Sequence, residues 1–179
     1  MNKKRLAILS AGNILNKDEG MALYTSKYLE LNYSFSPSVD IIHGGIEGLS
    51  ILNILMQYEE VIVLDAIGIE DTPGSIYSFP MREFRNLGSN ESSEDMGVLE
   101  CLNMLERRSE MLPEVSLLAI VPDSLEQEVG LSPILQHSLE AYVLNVVKSL
   151  EGKGFTYEEK AEKETLESVI ESFANRDFA

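Results

Sequence analysis

The chain has few cysteines, few basic residues and no long hydrophobic run. Cys101 is its one cysteine, which excludes an internal disulfide and a zinc site built from several thiolates. The 14 Lys and Arg residues are outnumbered by 30 Asp and Glu residues, which gives a formal net charge of −16. A protein this acidic repels nucleic acids and anionic membrane surfaces, so we expect neither among its partners. No apolar stretch approaches the roughly 18 residues of a membrane-spanning helix.

Three patterns of nucleotide binding and hydrolysis are also missing. The segment Ser10-Ala11-Gly12-Asn13 lacks the further glycines of a dinucleotide-binding loop. No Walker-type lysine motif occurs, and nothing resembles the nucleophile elbow of serine hydrolases. The sequence therefore gives no support to a nucleotide-binding protein or to a serine hydrolase of that type.

Length and composition predict a globular domain of ordinary size. The 179 residues are 44% hydrophobic and 25% charged, which is typical of a folded protein. A chain of this size buries roughly 70% of the surface that its unfolded form exposes. Near the start, Lys3, Lys4 and Arg5 precede an apolar run that is too short for a signal-peptide core. We interpret that run as a buried strand and expect a cytoplasmic protein, by default a monomer.

Apolar runs and helical patterns alternate over the first 150 residues. Strands are predicted at residues 5–10, 39–42, 61–64, 75–79 and 115–121, and helices at residues 21–31, 47–57, 94–107 and 133–150. The run at 61–64 is apolar on both faces, which is typical of a covered parallel sheet. Asn16 or Asp18 is the expected cap of the first helix, and Ser132-Pro133 begins the last. The alternation predicts an α/β fold with a mostly parallel sheet over residues 1–151.

Residues 152–179 differ from this domain and are predicted to form a charged tail. Apolar residues recur in it at helical spacing: Leu166, Val169, Ile170 and Phe173. The pattern predicts a short amphipathic helix that docks either on the domain or on a partner. The acidic run at 158–167 is typical of a solvated helix face. Cys101, on the apolar side of the helix at 94–107, is predicted to lie in the core.

Polar residues follow three of the predicted strands. Glu19 lies beyond the first strand, His43 follows the second and Asp65 ends the third. Ligands of open parallel sheets bind beyond the carboxyl ends of the strands, so these side chains are candidates for a cluster of oxygen and nitrogen ligands. Each also has a structural interpretation, such as a turn cap for Asp65 or a helix-dipole partner for Glu19. Spacing alone leaves both interpretations open.

Four stretches in unbroken order carry a resemblance to a known family. They are Gly12-Asn13-Ile14-Leu15 with Asp18-Glu19-Gly20; His43-Gly44-Gly45 with Gly48; Asp65-Ala66 with Pro73-Gly74; and Val121-Pro122-Asp123-Ser124-Leu125-Glu126 with Gly130-Leu131-Ser132-Pro133. Together, over residues 4–150, they resemble the hydrogenase maturation endopeptidases, which trim the C-terminal extension of nickel–iron hydrogenase large subunits. The resemblance implies a three-layer fold, with a twisted sheet of about five strands between helices. It also implies a large-subunit precursor as partner, with binding residues at Gly12, Asn13, Gly44 and Gly45.

The resemblance further implies a nickel site, with the metal arriving in the unprocessed substrate. The family's glutamate and aspartate ligands correspond to Glu19 and Asp65, which are also candidate catalytic residues, and Asp18 is a second candidate base. The family's histidine is replaced by Glu94, whereas His43 stands where the family has an aspartate. One hypothesis is that His43 supplies the lost imidazole, which gives the ligand set Glu19, Asp65, Glu94 and His43. The alternative is drift in a member whose metal chemistry has weakened, because an all-carboxylate site suits other cations better than nickel.

Three functions stay open on the sequence. The first is a metal-dependent endopeptidase that matures a hydrogenase large subunit, with residues 80–93 as a docking segment. The second is a non-cleaving relative that still docks on the precursor but has an altered metal site. The third is a hydrolase of a different peptide on the same fold.

Overall fold

The computed structural model of the protein describes residues 3–44, 49–83, 96–107 and 111–174. Its strands and helices follow one another as β1 (Lys4–Ser10), α1 (Met21–Asn32), β2 (Tyr33–Ser36), β3 (Asp40–His43), α2 (Leu49–Gln57), β4 (Tyr58–Ala66), β5 (Ile76–Pro80), α3 (Met96–Arg107), β6 (Glu114–Ile120), α4 (Pro133–Gly152), β7 (Thr156–Glu159) and α5 (Leu166–Ala174). A 3-10 turn, Lys17–Gly20, precedes α1. Within these described ranges, no helix is both long and apolar enough to cross a membrane.

Five strands form a central sheet in the order β3-β1-β4-β6-β5. The first four are parallel and β5 is antiparallel at the edge, which confirms the predicted mostly parallel α/β sheet. Ser10, the last residue of β1, lies opposite His43 on one side and Leu64 on the other. The segments that follow β3, β1 and β4 therefore start from one edge of the sheet, as expected of parallel strands.

Helices cover both faces of the sheet and bury a core on each. One core joins α1, α4 and α5 to strand residues such as Ile8 and Leu64, and the other joins α2 and α3 to residues such as Val63. Successive strand residues point to opposite faces, so a strand covered on both faces is apolar throughout, as predicted for residues 61–64. Cys101 lies in the second core, as predicted, and its burial raises the pKa of its thiol.

The two helices that begin near the site start in different ways. α4 begins as predicted, because Ser132 Oγ accepts the N–H of Leu135 at 3.3 Å and Pro133 stands in the first turn. The predicted cap of α1 is wrong. Gly20 precedes that helix without a side-chain cap, and neither Asn16 nor Asp18 bonds to its free N–H groups.

The segment after α4 packs against the rest of the chain. β7 pairs antiparallel with β2 in a second, two-stranded sheet that the sequence did not predict. The predicted helix face at 158–167 is therefore wrong, since Thr156–Glu159 is a strand and α5 begins at Leu166. The amphipathic helix itself is confirmed: Val169 is fully buried and Phe173 meets Tyr24 edge-to-face at 5.4 Å. The tail helix docks in cis, whereas the domain boundary at residue 151 stays a prediction.

We predict that Val169→Ala lowers the free energy of unfolding by about 2 kcal/mol, because it removes two fully buried methyl groups between α5 and α1. Urea unfolding measures the change. Glu167→Ala, at an exposed position of the same helix, is the control and leaves the unfolding midpoint nearly unchanged. Equal midpoints for Val169→Ala and the parent chain would mean that α5 does not pack on the domain in solution.

Candidate active site at the carboxyl edge of the sheet

Glu19 is positioned by the tight connection between β1 and α1. Gly12 has a φ of +132°, and a Cβ atom at this position would lie 2.0 Å from the carbonyl oxygen of Glu19. The connection therefore folds back on itself and brings the 3-10 turn against β4. Asn16 Nδ2 donates to Glu19 Oε2 at 2.7 Å, which orients a carboxylate that is only half-buried. Glu19 is thus held at the sheet edge with part of its side chain accessible.

Asp18 holds the same turn from the inside. Its side chain is fully buried, and its Oδ2 accepts the backbone N–H groups of Asp123 and Ser124 at 3.0 and 2.8 Å. Its Oδ1 accepts the N–H of Ser132 at 2.7 Å. These three bonds tie the 3-10 turn to the loop after β6 and to the start of α4. The arrangement supports a positioning role, because both oxygens of Asp18 already bind backbone donors.

Lys17 makes a second connection to the same loop. Its backbone N–H donates to the carbonyl of Glu128 at 2.8 Å, and its Nζ lies 2.9 Å from the carboxylate of Glu128 and 3.0 Å from that of Glu126. Hydrogen bonds to these carboxylates raise the pKa of Lys17, which stays protonated. The loop beside Glu19 is therefore held by charge as well as by backbone bonds.

Asp65 lies at the end of the neighbouring strand, β4. Its side chain is 6% exposed, and its Oδ1 accepts the N–H of Ala66 at 2.8 Å. In the sheet Asp65 is opposite Ala119, which belongs to the core shared with α2 and α3, so Asp65 faces that side.

Tyr142 of α4 covers the ends of the strands on the face of the sheet opposite to the Asp65 side chain. Its hydroxyl donates to the carbonyl of Leu118 at 2.6 Å and lies 3.4 Å from the carbonyl of Asp65. Burial, with the negative charge of Asp65, raises the pKa of Tyr142 well above its usual value. The phenol therefore remains a neutral donor that fixes the ends of β4 and β6.

His43 ends β3 and faces the other way, toward α1. Its Nδ1 lies 2.9 Å from Ser26 Oγ, and its Nε2 lies 3.2 Å from Glu30 Oε2. Burial alone would raise the pKa of Glu30, but its hydrogen bonds with Lys27 and His43 lower it on balance. The structure thus brings the ends of β3, β1 and β4 together, yet it places the His43 and Asp65 side chains on opposite faces of the sheet.

The remaining predicted site residues shape the turns or lie outside the description. A Cβ atom at Gly44 would lie 3.0 Å from the carbonyl oxygen of Ser10, and Asn13 Oδ1 accepts the N–H of Leu15 at 3.0 Å. Gly45, Glu94 and residues 84–93 of the predicted docking segment lie outside the described residues. Among the residues that are described, no three His, Cys, Asp or Glu side chains are grouped to hold a metal ion. The ligand set Glu19, Asp65, Glu94 and His43 therefore stays a prediction.

Sequence reasoning missed the side chains that orient the site. Asn16 has a local signal, since it lies three residues before Glu19, close to one turn away. The hydrogen bonds between Asp18 and the backbone of Asp123, Ser124 and Ser132 leave no local signal in the sequence, because they join segments more than 100 residues apart. Ser26 likewise meets His43 only once α1 has packed on the sheet.

Comparison with known proteins identifies close structural and sequence relatives. The family model described as HycI, hydrogenase maturation protease, matches residues 23–149. The hydrogenase 2 maturation protease of Escherichia coli strain K12 is 28% identical over 152 residues, which cover 84% of this chain and 93% of that protein. The solved structure of the hydrogenase maturating endopeptidase HybD from E. coli superposes with a TM-score of 0.80 at 27% identity, covering 88% of this chain and 99% of that one.

An archaeal structure supports the fold alone. The [NiFe] hydrogenase maturation protease HybD from Thermococcus kodakarensis superposes with a TM-score of 0.64 at 23% identity, covering 82% of this chain and 99% of that one. The three-layer arrangement of sheet and helices is therefore shared well beyond the sequences that align easily.

We predict that Asp18→Asn lowers the free energy of unfolding by about 3 kcal/mol. The amide loses the charge that strengthens three buried hydrogen bonds, and it turns a donor toward one of the backbone N–H groups. Guanidinium unfolding measures the loss. Asp123→Asn, an exposed aspartate on the same loop, is the matched control and has little effect on stability. A stability of Asp18→Asn equal to that of the control would show that the buried carboxylate does not hold the loop.

Proposed function

The chain belongs to the hydrogenase maturation protease family, and from this premise we propose that it is an endopeptidase acting on a nickel–iron hydrogenase large-subunit precursor. Its proposed reaction removes the C-terminal extension of that precursor after nickel has been inserted. One observation carries the proposal: Glu19 and Asp65, on neighbouring segments of the sheet edge, are held in place by separate sets of hydrogen bonds. The proposed setting is the cytoplasm, with the protein acting as a monomer.

The proposed metal is the nickel ion that the precursor brings with it. Glu19 and Asp65 offer carboxylate oxygens, and Glu94 adds a third in the ligand set that we propose. Oxygen donors alone favour harder cations over nickel. Such a set fits a metal that stays bound to its substrate and is not retained afterwards. Nickel held there would polarise the scissile carbonyl.

In the proposed reaction, the protein supplies a general base and a rigid sheet edge that positions the carboxylates. Hydrolysis adds water across the peptide bond: the carbonyl carbon gains an oxygen, the C–N bond breaks and the amine takes up a proton. We assign the base to Asp65, which takes a proton from the water and returns it to the leaving amine. Asp18 fits this role less well, because it is fully buried and both of its oxygens accept backbone N–H groups. Its role in the proposal is to position Glu19.

A second candidate function is favoured by the altered ligand positions. Glu94 stands where the family has a histidine, and a weaker metal site would leave a protein that docks on the precursor without cutting it. The two functions differ in one observable, which is the release of the C-terminal peptide.

We predict that the purified protein shortens a nickel-loaded large-subunit precursor, and that Glu19→Gln and Asp65→Asn each slow this cleavage about 100-fold or more. The substitutions keep the shape of the side chains, so the unfolding midpoint should change little. Mass spectrometry of the precursor measures the released peptide.

Glu140→Gln is the matched control, because it removes an exposed carboxylate on α4 and should cleave at the rate of the parent chain. Precursor binding without any peptide release by the parent chain would contradict the endopeptidase and support the docking protein. Full activity of Asp65→Asn would contradict the assigned base.

A further inference from the structure

A chain of hydrogen bonds links His43 to Ser10, the last residue of β1. His43 Nδ1 lies 2.9 Å from Ser26 Oγ, and Ser26 Oγ lies 2.9 Å from Ser10 Oγ. Ser10 Oγ in turn donates to the carbonyl of Ile42 at 3.3 Å, which returns the chain to β3. The network therefore joins α1, β3 and β1 at the point where both strands end. Ser10 and Ser26 are fully buried, so water cannot replace a lost partner.

Ser10 connects this network to the proposed site. It is the last residue of β1, and the next N–H, that of Ala11, donates to the carbonyl of Leu64 at 2.9 Å, beside Asp65. Gly12 then packs on the Glu19 carbonyl, where even a Cβ atom would find no room. A shift of Ser10 would therefore be transmitted along two residues of tightly packed backbone to Glu19.

The residue types in this network are those of a catalytic triad with Ser26 as nucleophile, but the geometry argues against that role. Ser26, His43 and Glu30 follow the order of a serine–histidine–carboxylate triad. Ser26 is fully buried, however, and its Oγ also contacts Ser10 Oγ and the carbonyl of Leu23 at 3.0 Å. No substrate carbonyl can approach an oxygen enclosed in this way.

We propose that His43 is a positioning residue that sets the turn carrying Glu19, acting through Ser26 and Ser10. Both ring nitrogens are engaged with α1, on the face of the sheet opposite to Asp65. The imidazole thus takes a scaffold role at the position where the family has an aspartate. The effect on cleavage rests on the proposed function, whereas the effect on the turn does not.

Substitution of His43 by asparagine or by glutamine distinguishes the contribution of Nδ1 from that of Nε2. The side-chain amide of His43→Asn can occupy the place of Nδ1 and keep the contact with Ser26, whereas that of His43→Gln reaches toward Glu30 and loses it. Ser26→Ala removes the same contact from the other side. Ser34→Ala, at an exposed position of β2, is the matched serine control.

Amide hydrogen exchange of these full-length variants measures the stability of the turn and needs no substrate. We expect exchange at Ala11 and Glu19 to rise about tenfold or more in His43→Gln, which loses the contact with Ser26, and in Ser26→Ala, which loses the contacts of Ser26 Oγ with His43, Ser10 and the carbonyl of Leu23. His43→Asn and Ser34→Ala should stay within about twofold of the parent chain. Unchanged exchange in Ser26→Ala and His43→Gln would overturn the proposal, and so would an equal rise in His43→Asn.

The cleavage assay adds a kinetic readout. We expect kcat to fall about tenfold in His43→Gln and in Ser26→Ala with KM unchanged, and the double variant to be no slower than either single one. A metal-ligand role predicts instead that His43→Asn is as slow as His43→Gln while Ser26→Ala is fast, and that result would overturn the proposal. If the parent chain does not cleave the precursor, the proposed function fails, and the exchange data still decide the role of His43.

Discussion

The site depends on one buried carboxylate. Asp18 accepts three backbone N–H groups from a segment more than 100 residues away, and in doing so it fixes the 3-10 turn against the loop that leads into α4. A buried carboxylate is tolerated when its hydrogen-bonding capacity is met, and here three backbone N–H groups donate to its two oxygens. Glu19 is the next residue, so its position follows directly from that constraint. The candidate site is therefore built by the connection between the first and last parts of the domain.

The parallel arrangement of the strands places the second candidate residue, Asp65, at the site. β1 and β4 are neighbours, so their carboxyl ends deliver Ser10 and Asp65 to the same edge. From α4, the hydroxyl of Tyr142 contacts carbonyls of both β4 and β6 and keeps those strand ends in place. Asp65 then stands on a rigid support, and its Oδ1 accepts the N–H of Ala66 at 2.8 Å.

Much of the fold follows from local patterns in the sequence. The apolar run at 61–64 and the Ser132-Pro133 start of α4 predict their elements because burial and capping are local properties. The pairing of β2 with β7 was not predicted, since Thr156–Glu159 is exposed and acidic and is a strand only through its partner. The prediction that Asp18 caps α1 is wrong for the same reason, because the side chain of Asp18 accepts hydrogen bonds from distant backbone groups.

The strand ends at which the candidate residues lie were predictable from the sequence, whereas the directions of their side chains were not. Spacing after the strands found Glu19, Asp65 and His43, but the face to which each side chain points depends on register and on the packing of α1. His43 illustrates the difference. In the sequence it is a candidate replacement for a lost ligand, and in the fold its ring is bonded to Ser26 and Glu30 on α1.

The proposed carboxylate ligands are tested most directly by nickel K-edge X-ray absorption of the concentrated protein loaded with nickel alone. We predict a first shell of carboxylate and water oxygens without the scattering pattern of imidazole. The chain has two histidines, so His43→Ala and His137→Ala identify the source of any imidazole signal. An imidazole signal that disappears in His43→Ala and persists in His137→Ala would place His43 on the metal and contradict the proposed carboxylate ligands.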